Sequence, residues 1–99
     1  MKNSFVLREL ARDDLEEIWL YTLKHWGTSQ ADKYVRSILL CLEWLAANPD
    51  AGKSRDDVKA GYYCFPEGSH LIFYTFADGQ VDVIGIPHQS MDVMGHLDP

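Results

Sequence analysis

Gly27 separates two stretches of this chain that each repeat at helical spacing, and that pair narrows the possible architectures more than any other feature. In LARDDLEEIWLYTLKHW, residues 10–26, the apolar side chains Leu15, Ile18, Trp19, Leu23 and Trp26 recur on one helix face. Asp13, Asp14, Glu16 and Glu17 crowd its early turns. The helix dipole favours negative charge there, and such a run reads as a solvated face. Gly27 is a natural residue just past a helix end. TSQADKYVRSILLCLEWLAANP follows, with Ala31, Tyr34, Val35, Ile38, Leu42 and Leu45 as its buried stripe. Thr28 or Ser29 is placed to cap it, and Asp32 lies three residues after Ser29, as in a capping box. Asn48-Pro49 stops it. So short a link predicts an antiparallel helical hairpin.

The second half reads as β-structure. DAGKSRDD (50–57) is a polar loop, VKAGYYCF (58–65) a strand, PEGS (66–69) a turn and HLIFYTFA (70–77) a second strand. Asp78-Gly79 is the strongest hairpin signal in the chain. QVDVIGI (80–86) is a third strand, ended by Pro87, which cannot donate to a ladder. With SFVLR (4–8) as a short first strand and HQSMDVMGHL (88–97) as a short last helix, the order is β-α-α-β-β-β-α. This is an α+β domain: a helical hairpin on a small antiparallel sheet, in one unit of 99 residues. A chain this small buries a modest core, so partners matter to it.

Charge excludes a class of function. The formal net charge is −6. All nine Lys and Arg lie at or before Lys59, and residues 60–99 carry five carboxylates and no fixed cation. Binding nucleic acid needs a basic stripe to displace counterions from phosphates, so a protein target is expected and no direct nucleic-acid contact. Apolar residues make up 46%, without a run of membrane-spanning length, and MKNSFVLREL lacks the apolar core of a signal peptide. Cys41 and Cys64 follow no metal spacing and sit among apolar neighbours, so they read as core thiols in a reducing cytoplasm.

The segment IPHQSMDVMGHL concentrates the candidate chemistry. On a helix, residues two apart point to nearly opposite sides, so His88 cannot meet Ser90, and no glycine-flanked nucleophile elbow is present. His88, Asp92 and His96 are spaced i, i+4, i+8. The outer two would lie roughly 12 Å apart along the axis, too far for one ion with bonds of about 2 Å. The simpler reading is polar residues on the exposed side of a short helix, with no metal or cofactor. His70, His88 and His96 could serve a ribonuclease as acid or base, but the cations that neutralise a pentavalent phosphate are missing from this half. Tyr21 lies off the apolar stripe and is expected at the surface. Trp19, Trp26, Tyr34 and Trp44 are expected mostly in the core, and Tyr62, Tyr63 and Phe65 cannot all point inward from one strand.

DLEEIWLYTLKHWGTSQADKYV, LAANPDAG, VKAGYYCFPEGSHLIFY and HQSMDVMGHL together resemble the ParE group of the RelE/ParE toxin superfamily. The likeness runs from about Leu7 to Leu97. It rests on Asp14-Leu15, Ile18-Trp19, Tyr21, Trp26-Gly27, Asn48-Pro49, Gly52, Gly61-Tyr62, Gly68, His70, Phe73-Tyr74, His88 and Met91-Asp92 in order. It implies the toxin of a type II toxin–antitoxin module: a non-enzymatic inhibitor that binds DNA gyrase, blocks replication and is neutralised by a ParD-like antitoxin in a hetero-oligomer. Alternatives within the superfamily are a ribosome-dependent mRNA endonuclease of the RelE type and a low-potency toxin acting mainly as the antitoxin's regulatory partner. Members often carry arginine where this chain has Tyr63, Thr75 and Ser90. Tyr21, Trp26, Tyr34, Tyr63 and Phe65 are the expected antitoxin anchors, and His88, Ser90, Met91, Asp92 and His96 the expected target-facing residues.

Overall fold

The computed structural model describes residues 4–98. Strand β1 (Ser4–Leu7) leads into helices α1 (Glu9–Trp26) and α2 (Thr28–Ala47). A 3-10 turn at Pro49–Ala51 is followed by β2 (Lys53–Ser54), β3 (Tyr63–Glu67), β4 (His70–Ala77), β5 (Gln80–Gly85) and helix α3 (Val93–Leu97). The helical hairpin on a sheet is as expected. The five strands lie in the order β1-β5-β4-β3-β2. Strands β2 to β5 are antiparallel neighbours, while β1 joins β5 in parallel, with Leu7 opposite Val83. The polar loop after α2 contributes the short edge strand β2, and Val58–Gly61 is a turn where a strand was expected.

Gly27 makes the hairpin. It adopts φ 91°, a conformation glycine reaches without a Cβ penalty, and donates its N–H to the Leu23 carbonyl. It ends α1 and starts α2 in one residue, so neither Thr28 nor Ser29 caps α2. Asp32 instead accepts a hydrogen bond from the Trp19 indole at 3.0 Å, a link between the two helices.

Apolar residues cover both faces of the sheet. Ile72, Tyr74, Val81 and Val83 turn toward α1 and α2, where they meet Ala11, Ile18, Ile38, Leu42 and Leu45. Tyr63 and Phe65 lean on the same cluster. Tyr62, Cys64 and Phe73 belong to a second cluster with Val58 and Leu97. Strand alternation thus sends Tyr62 to one side, where it is buried, and Tyr63 and Phe65 to the other, where they are half-buried. Burial, with Glu67 adding to it, pushes the Cys41 thiol up to about 11. Both cysteines are free and buried.

The fully buried Tyr74 fixes the loop after α2. Its hydroxyl donates to the Pro49 carbonyl at 2.7 Å and accepts the Gly52 N–H at 2.9 Å. A Cβ at Gly52 would run into that hydroxyl and the Tyr74 ring, so only glycine fits the approach.

The helical stripe on α1 is rotated from the sequence reading. Ala11, Asp14, Ile18 and Thr22 are buried, Leu15, Trp19 and Leu23 are half-buried, and Trp26 is exposed. Trp44 is exposed as well. Two of the four helical tryptophans and tyrosines expected inside therefore face outward.

Candidate functional site: a cleft between the first helix and the strand ends

The C-terminal half of α1, the start of α2 and the end of the sheet enclose an open cleft of about 680 Å³. Tyr21, Trp26 and Met91 form its apolar rim, at 64%, 72% and 49% exposure. Tyr34, His70, His88 and Ser90 supply its polar wall, and Asp14 and Glu17 its carboxylates. Among the described residues no Lys or Arg lines it. The Tyr21 ring stacks on His25, 4.1 Å between centroids, which holds it out from the helix.

Asp14 anchors the floor. It is only 8% exposed, although it belongs to the acidic run read as solvated. Its Oδ2 accepts the Ile86 N–H at 2.8 Å and lies 2.8 Å from His96 Nε2. One carboxylate oxygen therefore ties α1 to the end of β5 and to α3. Gly85 permits the approach: a Cβ there would meet Leu97 at 2.6 Å and Asp14 Oδ2 at 3.5 Å. The register shift between Phe73 and Tyr74 against β5 places this irregular stretch next to the carboxylate.

The wall is a row of three rings, Tyr34, His70 and His88. Tyr34 Oη lies 2.7 Å from His70 Nδ1 and accepts the Ser69 N–H at 3.0 Å. Gly68, at φ 58°, makes room, because a Cβ would sit 2.7 Å from the Tyr34 ring. Burial first, and then the neighbouring His88, hold His70 below the usual imidazole range, with Asp14 opposing. His88 Nδ1 lies 2.7 Å from Ser90 Oγ and accepts the Ser90 N–H at 3.1 Å.

That last contact corrects the sequence reading of IPHQSMDVMGHL. Residues 88–92 are not helical. Leu71 N–H bonds the Pro87 carbonyl and Gln89 N–H the Ser69 carbonyl, which extends the sheet past Pro87. A turn closed by Met91 N–H on the His88 carbonyl follows, and α3 begins only at Val93. The helical argument that parted His88 from Ser90 does not apply, and the i, i+4, i+8 alignment of His88, Asp92 and His96 does not form. Even so, no hydrolase triad results: the hydrogen bonds of His88 among the described residues run to Ser90, not to a carboxylate.

Known proteins match this chain along nearly its whole length. The family model described as the ParE toxin of the type II toxin–antitoxin system parDE matches residues 5–93. A protein called toxin ParE1 from Mycobacterium tuberculosis is 38% identical over 98 residues, covering 98% of this chain and 100% of that protein. The chain belongs to the ParE toxin family. A toxin ParE1 from Caulobacter vibrioides is 36% identical over 91 residues, covering 92% of this chain and 94% of that one. Among solved structures, one described as the chromosomal ParDE system from P. aeruginosa shares the fold with a TM-score of 0.73. It is 17% identical and covers 89% of this chain and 96% of that one.

On this ParE-family fold the expected contact residues divide. Tyr21, Trp26 and Tyr34 line the cleft together with His88, Ser90 and Met91, so the two expected surfaces share one concavity. Tyr63 and Phe65 lie elsewhere. Tyr63 packs on Tyr74 and Phe76, and Phe65 packs on Trp44, about 15 Å along α2 from Tyr34. Asp92 is exposed at the entry to α3, and His96 turns inward to Asp14. Asp14 is the residue that charge patterning hid. Its place with Ala11, Ile18 and Thr22 on one helix face was the available signal.

Proposed function

We propose that this ParE-family chain is the toxin of a type II toxin–antitoxin module, that it acts in the cytoplasm by binding DNA gyrase without chemistry of its own, and that a ParD-like antitoxin neutralises it in a hetero-oligomer. One observation carries the reading: among the described residues the cleft has an exposed aromatic rim, two carboxylates and no fixed cation. Such a surface suits an apolar, basic peptide segment. It suits RNA cleavage poorly, because carboxylates with no compensating cation repel a phosphate and its anionic transition state. The antitoxin segment lays an amphipathic helix over Tyr21, Trp26 and Tyr34 and adds a strand at a sheet edge near Tyr63 and Phe65. Aromatic anchors commonly dominate such interfaces. His88, Ser90, Met91, Asp92 and His96 support the target-facing end.

The test is a supercoiling assay with purified gyrase. The chain alone should inhibit supercoiling, and prior addition of the cognate antitoxin should abolish the effect. Growth arrest on induction with intact gyrase activity would overturn the gyrase reading. mRNA cleavage in a translating extract would favour the endonuclease alternative. Harmless induction together with tight antitoxin binding would favour the low-potency regulator, in keeping with Tyr63, Thr75 and Ser90 standing where relatives often carry arginine.

A further inference from the structure

His70 and His88 face each other across the last rung of the sheet. The flanking hydrogen bonds, Leu71 N–H to Pro87 carbonyl and Gln89 N–H to Ser69 carbonyl, both 2.9 Å, define a non-hydrogen-bonded antiparallel pair. This is the register that brings side chains closest, with Cα atoms about 4.5 Å apart. The ring centroids are 5.2 Å apart and the planes cross at 88°. A ring centre lies about 3.2 Å from a metal bound through Nε2 at about 2.0–2.1 Å, so two imidazoles on a tetrahedral ion sit about 5.2 Å apart.

Each ring is also held through one nitrogen. Each Nδ1 faces a hydroxyl, Tyr34 Oη at 2.7 Å for His70 and Ser90 Oγ at 2.7 Å for His88. Metal-binding histidines commonly fix their second nitrogen in this way. Either hydroxyl can accept from an Nδ1–H, which frees Nε2 as the donor to a metal. For His88 this exchanges the Ser90 N–H contact for water, and Ser90 is exposed. Neither Nε2 has a hydrogen-bond partner among the described residues. Among the described residues the cleft adds Asp14 and Glu17 and no Lys or Arg, a field that favours a positive ion.

From this geometry we infer that His70 and His88 form an open two-histidine site for a late first-row divalent cation such as Cu²⁺, Ni²⁺ or Zn²⁺. Among the described residues no group of three or more His, Cys, Asp and Glu side chains could hold a metal. The remaining coordination positions therefore open into the cleft, to water or to a partner's side chain. Imidazole donors and the Irving–Williams order place Cu²⁺ first in affinity. The spacing of His88, Asp92 and His96 in the sequence argues against a shared ion, and the fold separates them as well. The pair that meets is eighteen residues apart in sequence and joined only by strand register.

The experiment is Cu²⁺ titration of the tag-free full chain, read by NMR of the histidine ring protons, with Zn²⁺ calorimetry alongside. Substoichiometric Cu²⁺ should broaden the His70 and His88 signals first and together, before those of His25 and His96. Calorimetry should give one Zn²⁺ per chain. His70→Gln and His88→Gln should each weaken binding by at least about 10-fold, His25→Gln should leave it unchanged, and Ser90→Ala should weaken it by about 10-fold through loss of the orienting contact. Broadening of His25 first, equal broadening of all four, or full affinity in either glutamine variant would overturn the site. Should a variant fail to fold, the broadening order in the unmutated chain decides alone.

Discussion

Replacing Asp14 by alanine should unfasten three elements at once. The substitution orphans the Ile86 N–H, which points into a buried site. An unsatisfied buried donor costs about 2 kcal/mol, within a usual span of about 1–3. It also removes the partner of His96, whose side chain is 21% exposed. That contact is partly screened and adds about 1 kcal/mol. The total of about 3 kcal/mol corresponds to a Tm lowered by about 15 °C for a chain of this size. Asp14→Asn keeps an oxygen for Ile86 and should lose only about 1 kcal/mol. His96→Ala should lose a similar amount, and a double-mutant cycle of Asp14→Ala with His96→Ala should return a coupling of about 1 kcal/mol. The assay is urea unfolding followed by tryptophan fluorescence, with the slope m held constant as the check on two-state behaviour. An Asp14→Ala loss below about 1 kcal/mol, or an asparagine variant as unstable as the alanine one, would refute the reasoning.

Other perturbations have separable outcomes. Trp26→Ala and Tyr21→Ala should each weaken antitoxin binding by at least about 10-fold. Because both side chains are exposed, unfolding midpoints should stay within about 0.5 kcal/mol of the unmutated chain. Gly68→Ala should destabilise by about 1–2 kcal/mol, since it strains a positive φ and presses on the Tyr34 ring; loss of the Tyr34–His70 contact would register in the His70 ring shifts. Stability should fall as pH rises from about 9 to about 11. In that window the unfolded Cys41 thiol ionises while the buried one, pushed up to about 11, stays protonated. The loss approaches about 2–3 kcal/mol at the top of the window, and Cys41→Ala should flatten it in a denaturant series run at stepped pH. Cys64 and Tyr74, also raised by burial, steepen the same limb.

Periodicity made the scaffold legible. The two helices, the Gly27 joint, the β4 span from His70 to Ala77 and the Asp78-Gly79 turn follow from local spacing and backbone preference, which sequence carries directly. The cleft was legible only in pieces. Tyr21 could be placed at the surface because it left the stripe. Trp26 could not, because a helix end can point a large ring either into the core or past it. Asp14 was hidden by its charged neighbours, since burial of a carboxylate is decided by a partner as distant as Ile86. The stretch after Pro87 misled for a similar reason. Its helical pattern, with methionines at helical spacing, was overridden by sheet hydrogen bonds to Ser69 and Leu71. Tertiary contacts of this kind leave no periodic mark.

The parallel pairing of β1 with β5 sets the order in which the molecule can be completed during synthesis. Ser4 pairs with Gln80 and Leu7 with Val83, so the first strand made waits for nearly the last. The helical hairpin emerges early with its inner face uncovered, and the cleft wall at His88 to Met91 emerges later still. A ribosome that stops before residue 80 therefore releases a hairpin without a closed sheet and without the concave surface. The complete cleft exists only in chains made past Met91, whereas the helical hairpin that forms its other side is made well before it.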